Sequence, residues 1–504
     1  MLKSLAVALL SLAIAPVVPT ALAEVTFKVT RDAGPEAAID GRLIVYVLGE
    51  DDPDWQRDPG GAPFYRGAAP VFGTDAADFE TGQTLSLTDG GELPTASEGA
   101  LSPGKYKAQA VLDRQHGDSV WRREDGNLFS ETVEFTVEES GDVTVELSLS
   151  EEVEPREVSE RDEVKVVEVQ SKLMPEVTLR AMVVLPIDYD ESKQYAAVYV
   201  TPGFGGNHTG AAGYLRNTEL RKHAFVIGID PESGNGHTLF VDSEVNGPRG
   251  KMLTEELVPY LESQYPLVAE APARIITGHS SGGWSSLWAA TEYPEVFGAC
   301  WSSGPDPVDF RRFQMINLYE DDNFYVDADG EPFPLARFGD PAGEQTVALN
   351  VRDHSFVEEV IGPGNSSGLQ MDAFQACWGT DSDGDGFADP LHDVETGEIN
   401  KQQAEAFKDH DIRLRLANDP EHFVPIFANN VRLVCGAQDN FYLNEAVALL
   451  QEELAKHDLP DGPGYVKLVD AADHGMSLYR SEEMQGFTGE MIEHLKASGY
   501  AQED

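Results

Sequence analysis

Residues 273–294 read ARIITGHSSGGWSSLWAATEYP. The first five residues are apolar or β-branched, apart from Arg274, and predict a short strand. The segment from Ser281 predicts a helix that ends before Pro294. Between them stands Gly278-His279-Ser280-Ser281-Gly282, a Gly-x-Ser-x-Gly pattern. A sharp turn from strand into helix exposes the central serine, and its flanking glycines avoid collisions with neighbouring backbone. That context predicts a nucleophile elbow at Ser280 on an α/β scaffold.

The same pattern recurs as GNSSGL, Gly364 to Leu369, with Ser366 at its centre. Pro363 and Gly364 mark a loop there, and no strand leads in. In a chain with 47 glycines a second match is unsurprising. Ser366 is therefore read as a loop residue.

Outward from the elbow, apolar runs alternate with amphipathic ones. LRAMVVLP, AAVYVTPG, AFVIGID, FGACWSSG, VRLVCGAQD and GYVKLVD read as strands. MLTEELVPYLESQY and LNEAVALLQEELAKH read as helices. Continuous apolar strands alternating with helices predict a mostly parallel sheet covered on both faces. Between about residues 305 and 430 this alternation lapses, which predicts a long insertion and a candidate lid.

Residues 24–150 look different. VTFKVT, RLIVYVLG, TLSLT, KYKAQAVLD, ETVEFTVEE and DVTVELSLS are separated by turn-forming residues. They predict an all-β domain, an antiparallel sandwich. The charged segment 151–163 reads as a linker to the α/β region, 164–504.

The first 23 residues carry Lys3, an apolar stretch and Ala21-Leu22-Ala23. They have the form of a secretory signal peptide cleaved before Glu24, so the chain is expected to be secreted or periplasmic. Pro16 and Pro19 interrupt the apolar run, which argues against a membrane anchor. With 36 basic and 88 acidic residues the formal charge is −52. Such a surface repels nucleic acid and anionic membranes. Of three cysteines, Cys300 and Cys435 lie in apolar strands and read as small core residues. No Cys/His spacing suggests zinc.

A serine hydroxyl needs a base, and the base needs an orienting acid. In this fold the chain order is Ser, acid, His. His474, in KLVDAADHGM just past the last strand, is the expected base. Asp439, after VRLVCGAQ, is the expected acid, with Asp306 and Asp309 as runners-up. Asp473 adjoins His474 too closely in sequence to orient its ring. His279 is read as structural, with its side chain directed away from the site. The oxyanion is expected to meet the N–H groups of Ser281 and, in the turn YVTPGFGGN, Phe204.

The stretches TPGFGGN, NGPRGKMLTEELVPYLE, RIITGHSSGGWSSLWAATEYPEVFG, LVCGAQDNFYLNEAV and AADHGM resemble an esterase family of the α/β-hydrolase superfamily. It includes enterobactin-esterase-like, esterase-D-like and feruloyl-esterase-like proteins. The resemblance spans about residues 160 to 504. It implies Ser280 as nucleophile, Asp439 as acid and His474 as base. Some relatives also carry an N-terminal β domain. Two departures stand out: Pro202-Gly203 replaces the HG of many relatives, and the long insertion prevents carry-over of substrate preference.

A separate motif, DSDGDGFAD, runs from Asp381 to Asp389. It matches the first part of a calcium loop, with Asp381, Asp383, Asp385, the Phe387 carbonyl and Asp389 as ligands. Position 12 is His392 instead of the usual glutamate, and Asp393 offers a closing carboxylate. The expected role is structural, since catalysis by the serine requires no cofactor.

Together these features predict a secreted serine hydrolase that cleaves a small-molecule or carbohydrate-linked carboxylic ester. The alternatives are a serine peptidase of the same fold and a non-catalytic binding protein built on it.

Overall fold

The computed structural model describes residues 24–62, 70–88, 101–114, 117–154, 160–339, 344–475 and 482–502. The proposed signal peptide and the centre of the linker lie outside them.

The N-terminal region is all-β. Its strands are β1 (Val25–Arg31), β2 (Ile39–Gly49), β3 (Val71–Phe79), β4 (Thr84–Thr88), β5 (Gly104–Asp113), β6 (Leu128–Ser130), β7 (Val133–Val137) and β8 (Val143–Glu152). Period-2 alternation buries Val25, Phe27 and Val29 of β1 against Val145, Leu147 and Leu149 of β8. The expected pair of separate antiparallel sheets is corrected in two respects. One hydrogen-bonded path, β3-β2-β5-β6-β8-β1-β4, joins the strands, with β7 added to β5. The β1–β8 pair is parallel. Alternation tells which residues face inward, but not which strand lies alongside. Here the far end of β5, at Val111 and Leu112, pairs with β6 while its near end pairs with β7. β8 also runs on through Glu152, into the expected linker.

The second region is an α/β layer structure. Its sheet begins with β9 (Val164–Gln170), β10 (Thr178–Val184), β11 (Ala196–Thr201) and β12 (Ala224–Ile229). Four further strands follow: Arg274–His279, Ala299–Ser303, Val431–Gly436 and Tyr465–Val469. Across the sheet the order is Tyr465–Val469, Val431–Gly436, Ala299–Ser303, Arg274–His279, β11, β12, β10, β9. The pairs β9–β10 and β10–β12 are antiparallel, and every other pair is parallel. The central strands are mostly apolar because helices cover both faces; β12, for example, is buried along its whole length. Parallel strands also bring their C-terminal ends to one edge, where loops gather.

The chain between Ser303 and Val431 holds a hairpin, Pro334–Gly339 with Gln345–Asn350, and several helices. It shares a core with the sheet-covering helices. Trp378 of this segment lies 5.1 Å from Trp284 of the helix Ser281–Glu292, ring centroid to ring centroid. Arg42 of β2 donates to the Val360 carbonyl at the end of the helix Val351–Ile361. The β region and the insertion are thereby joined.

Candidate active site

Ser280 sits between the strand Arg274–His279 and the helix Ser281–Glu292. Its φ of 58° and ψ of −127° are rare for a residue with a Cβ. The neighbours explain how this conformation is held. Ser280 N–H donates to Ser303 O at 3.0 Å, and Trp284 N–H to Ser280 O at 3.0 Å. A Cβ at Gly278 would stand 2.3 Å from Gly282 O, and one at Gly282 would stand 2.2 Å from Thr201 O. Only glycine permits this approach of backbone to backbone. Ser366 has none of this. It lies between two helices, Val351–Ile361 and Gln370–Trp378, and its hydroxyl donates to Pro363 O.

Asp439 and His474 meet. Asp439 Oδ2 is 2.7 Å from His474 Nδ1. Asp439 is fully buried, and its Oδ1 accepts from Phe441 N–H at 2.8 Å. Burial opposes its charge, but the His474 imidazole and these donors outweigh that and hold its pKa below the ordinary value. Burial likewise opposes a charge on His474; the Asp439 carboxylate overcomes it and raises the imidazole's pKa. Phe441 packs edge-on to the ring at 5.1 Å, and Asn440 Oδ1 accepts from His474 N–H. Asp439, rather than adjacent Asp473, takes the Nδ1.

The insertion supports the Asp439 loop. Arg337 Nε donates to Asp439 O at 2.9 Å, and Arg337 N–H to Asn440 O. Asn440 Nδ2 returns a bond to Arg337 O. No motif in the sequence points to Arg337, because its partner lies 102 residues away.

The reading of His279 requires correction. Its ring lies 4.4 Å from that of His474, inside the site. Alternation along the strand ends at His279, so the strand's period no longer decides where the side chain goes. Gly304 leaves the space: a Cβ there would stand 3.3 Å from His279 Cε1 and 3.2 Å from His474 Nδ1. Burial, then the neighbouring His474, lowers the His279 pKa to about 3. Its Nδ1 is 3.1 Å from Ser303 Oγ.

The two runner-up acids have other partners. Asp309 is ion-paired with Arg413 and Arg311. Asp306 is 1% exposed and lies beside Gln370 Nε2, which stands 3.4 Å from both Asp306 Oδ1 and Ser281 Oγ. Burial raises the Asp306 pKa to about 7.

The turn after β11 reaches the serine. A Cβ at Gly203 would stand 3.3 Å from Ser280 Cβ and 4.0 Å from its Oγ. Gly206 N–H donates to Gly203 O, with Phe204 and Gly205 at the tip and Gly205 at φ +71°. On one flank His237 Nδ1 accepts from Leu239 N–H, so Nε2 carries the proton and donates to Pro202 O at 3.0 Å. Burial lowers the His237 pKa to about 4, which keeps it neutral in that role. Ser281 is the first residue of its helix, where an N–H has no intrahelical acceptor.

Elsewhere, one carboxylate oxygen from each of Asp381, Asp383 and Asp385 falls within 4.8 Å of the others. Asp389 is turned aside: its Oδ2 accepts from Ser382 N–H and Gln403 Nε2. His392, at the twelfth position, is buried and stacks on Phe324. A cavity of about 530 Å³ also lies in the insertion, lined by Glu358, Asp372 and His392 among others, and includes none of Ser280, Asp439 and His474. All three cysteines are buried and unpaired. Among the described residues no helix is long and apolar enough to cross a membrane.

No curated protein matches this chain. Solved structures similar to it include an S-formylglutathione hydrolase from Agrobacterium tumefaciens, with 13% identity, 66% of this chain and 94% of that one covered, and a TM-score of 0.39. Another is the fluorophosphonate-binding serine hydrolase F of Staphylococcus aureus, at 14% identity, 66% and 98% coverage and a TM-score of 0.36. A third is a ferulic acid esterase from Anaeromyces mucronatus, at 13% identity, 65% and 88% coverage and a TM-score of 0.31. A family model described as "Putative esterase" matches residues 172–460, more than half of the chain. The chain belongs to that esterase family.

Proposed function

We propose that this protein hydrolyses carboxylic esters through an acyl-Ser280 intermediate. The observation that carries the reading is the strained Ser280 elbow in one loop cluster with the Asp439–His474 pair. His474 Nε2 takes the proton from Ser280 Oγ as Oγ bonds to the ester carbonyl carbon. The carbonyl oxygen gathers negative charge and is met by the N–H groups of Phe204 and Ser281. The carbon–alkoxy bond then breaks, and the alcohol leaves with the proton from Nε2. Water repeats the sequence on the acyl-enzyme, frees the acid and restores Ser280. Asp439 keeps the proton of neutral His474 on Nδ1 and stabilises the imidazolium that forms.

The test is covalent. A fluorophosphonate probe is expected to label wild-type protein at Ser280 and to leave Ser280→Ala unlabelled. A panel of p-nitrophenyl esters of graded chain length, with a feruloyl ester and a peptide amide, then defines the substrate. Turnover of the amide but of no ester would overturn the esterase reading.

Two further readings accompany this one. Residues 1–23 have the composition of an export signal, so the enzyme is proposed to act outside the cytoplasm. The Asp381 loop is proposed to hold a structural calcium ion on Asp381, Asp383 and Asp385, with water completing a shell of six to eight oxygens. Asp389 lies outside that group of three, and its oxygens accept from Ser382 and Gln403.

A further inference from the structure

The turn at Gly203–Gly206 is held from a second flank, by a residue of the N-terminal β region. Arg123 lies in the connection between β5 and β6. Its Nη1 donates to Gly205 O at 2.6 Å. The rest of the guanidinium is fixed by carboxylates. Arg123 Nε donates to Asp118 Oδ2 at 2.7 Å, and Nη2 pairs with Asp118 Oδ1 and, at 3.4 Å, with Glu232 Oε2. The Glu232 side chain is 4% exposed and also accepts from Ser119 Oγ at 2.6 Å. Asp118 is tied to the same segment by Val120 N–H. The planar fork therefore has one fixed orientation, and one of its donors is directed at the turn.

The position of that bond gives it consequence. Gly205 O follows Phe204 by one residue, and Pro202 O, held by His237, precedes it by two. The two bonds bracket Phe204, whose N–H is the proposed oxyanion donor. Gly205 has φ +71°, and a Cβ there would stand 3.9 Å from Val120 Cγ2, so the β region's own segment packs on the turn. His237 comes from the α/β region, but Arg123 does not.

We infer that Arg123 is a positioning residue for ester hydrolysis: it holds the Phe204 N–H where the oxyanion forms, and the N-terminal β region thereby completes the active site. This rests on the reading of Ser280 as nucleophile. A donor that shifts by a fraction of an ångström stabilises the transition state less, while the resting substrate loses little.

The experiment compares full-length wild type, Arg123→Ala and Arg123→Lys on one p-nitrophenyl ester. Arg123→Ala is expected to lose about 10- to 100-fold in kcat with KM within about twofold. Affinity for a phenylboronate, which mimics the tetrahedral state, is expected to fall with kcat, while affinity for the carboxylate product holds. Millimolar guanidinium is expected to restore part of the lost rate in Arg123→Ala, which a general loss of structure would not allow. If Arg123→Ala fails to fold, Arg123→Lys carries the test, since it keeps a cation between Asp118 and Glu232 while losing the fork. Folded variants that keep wild-type kcat, or that lose only in KM, overturn the inference. A wild type that turns over no ester and takes no probe at Ser280 overturns the hydrolase reading and this inference together. An active wild type with unaffected variants overturns this inference alone.

Discussion

The ring of His279 lies 4.4 Å from the ring of His474, so the residue before the elbow serine is a neighbour of the proposed base. Two cations at that distance would repel, and the pair avoids this by opposite shifts. The His279 pKa falls to about 3 and that of His474 rises. At neutral pH His279 is an uncharged wall against which His474 is oriented.

A pH profile tests that division. The base must be neutral to accept a proton, so kcat/KM falls as pH drops through the His474 pKa. The acid limb is expected above the ordinary imidazole value, because the Asp439 carboxylate raises it. His279→Gln removes no charge in this range and is expected to leave the limb in place. A limb that moves with His279→Gln would show that His279 is charged.

Asp439→Asn is expected to lower kcat by about 10³ to 10⁴, as the amide favours the wrong tautomer of His474. Residual activity is expected to show its acid limb at lower pH, since the charge that raised His474 is gone. Steady-state rates of Asp439→Asn beside Asp306→Asn check the assignment. A larger loss in Asp306→Asn would put the acid after the strand Ala299–Ser303.

Ser280→Ala is expected to lose several orders of magnitude in turnover, and Ser366→Ala to stay near wild type. Ester hydrolysis and probe labelling measured on both variants separate the two matching motifs.

Asp306 carries a prediction about stability. Its folded pKa is raised to about 7 by burial. A raised folded pKa means that its contribution is fully present below the unfolded value. It is lost as pH rises through about 7, when the buried carboxyl must ionise. Asp306→Asn cannot ionise. The melting temperature of Asp306→Asn minus that of wild type is therefore expected to increase between acidic and mildly alkaline pH. A flat difference would show that Asp306 does not titrate there.

Chelation tests the Asp381 loop. An ion that binds only the folded state stabilises it by about 2.7 kcal/mol at a hundred-fold excess over its Kd. EDTA is expected to lower the melting temperature of wild type and to leave Asp383→Ala/Asp385→Ala unchanged. Magnesium is expected to substitute poorly, as it demands a tighter octahedral shell. Calorimetry of stripped protein that shows no calcium uptake near neutral pH would leave the loop an acidic turn.

What was legible in the sequence is what local rules encode. The glycines of GHSSGG can stand only where backbone meets backbone, so the elbow at Ser280 could be read without coordinates. Ser366 could be set aside by the same reasoning, since Pro363 and Gly364 admit no strand. Continuous apolar strands implied the parallel sheet, and Asp439 and His474 followed from their places after two of them. Tertiary structure decided everything that depends on partners distant in the chain. Alternation in β1–β8 marks an inner face but leaves the neighbour open, so the single strand path and the parallel β1–β8 pair could not be read. His279 faces the site because Gly304, just past the end of the strand Ala299–Ser303, leaves room beside His474. Arg337 and Arg123 hold the Asp439 loop and the turn at Gly203–Gly206 across separations of 102 and 82 residues. No periodicity spans such distances: hydrogen-bond partners of this kind are chosen by how the layers pack.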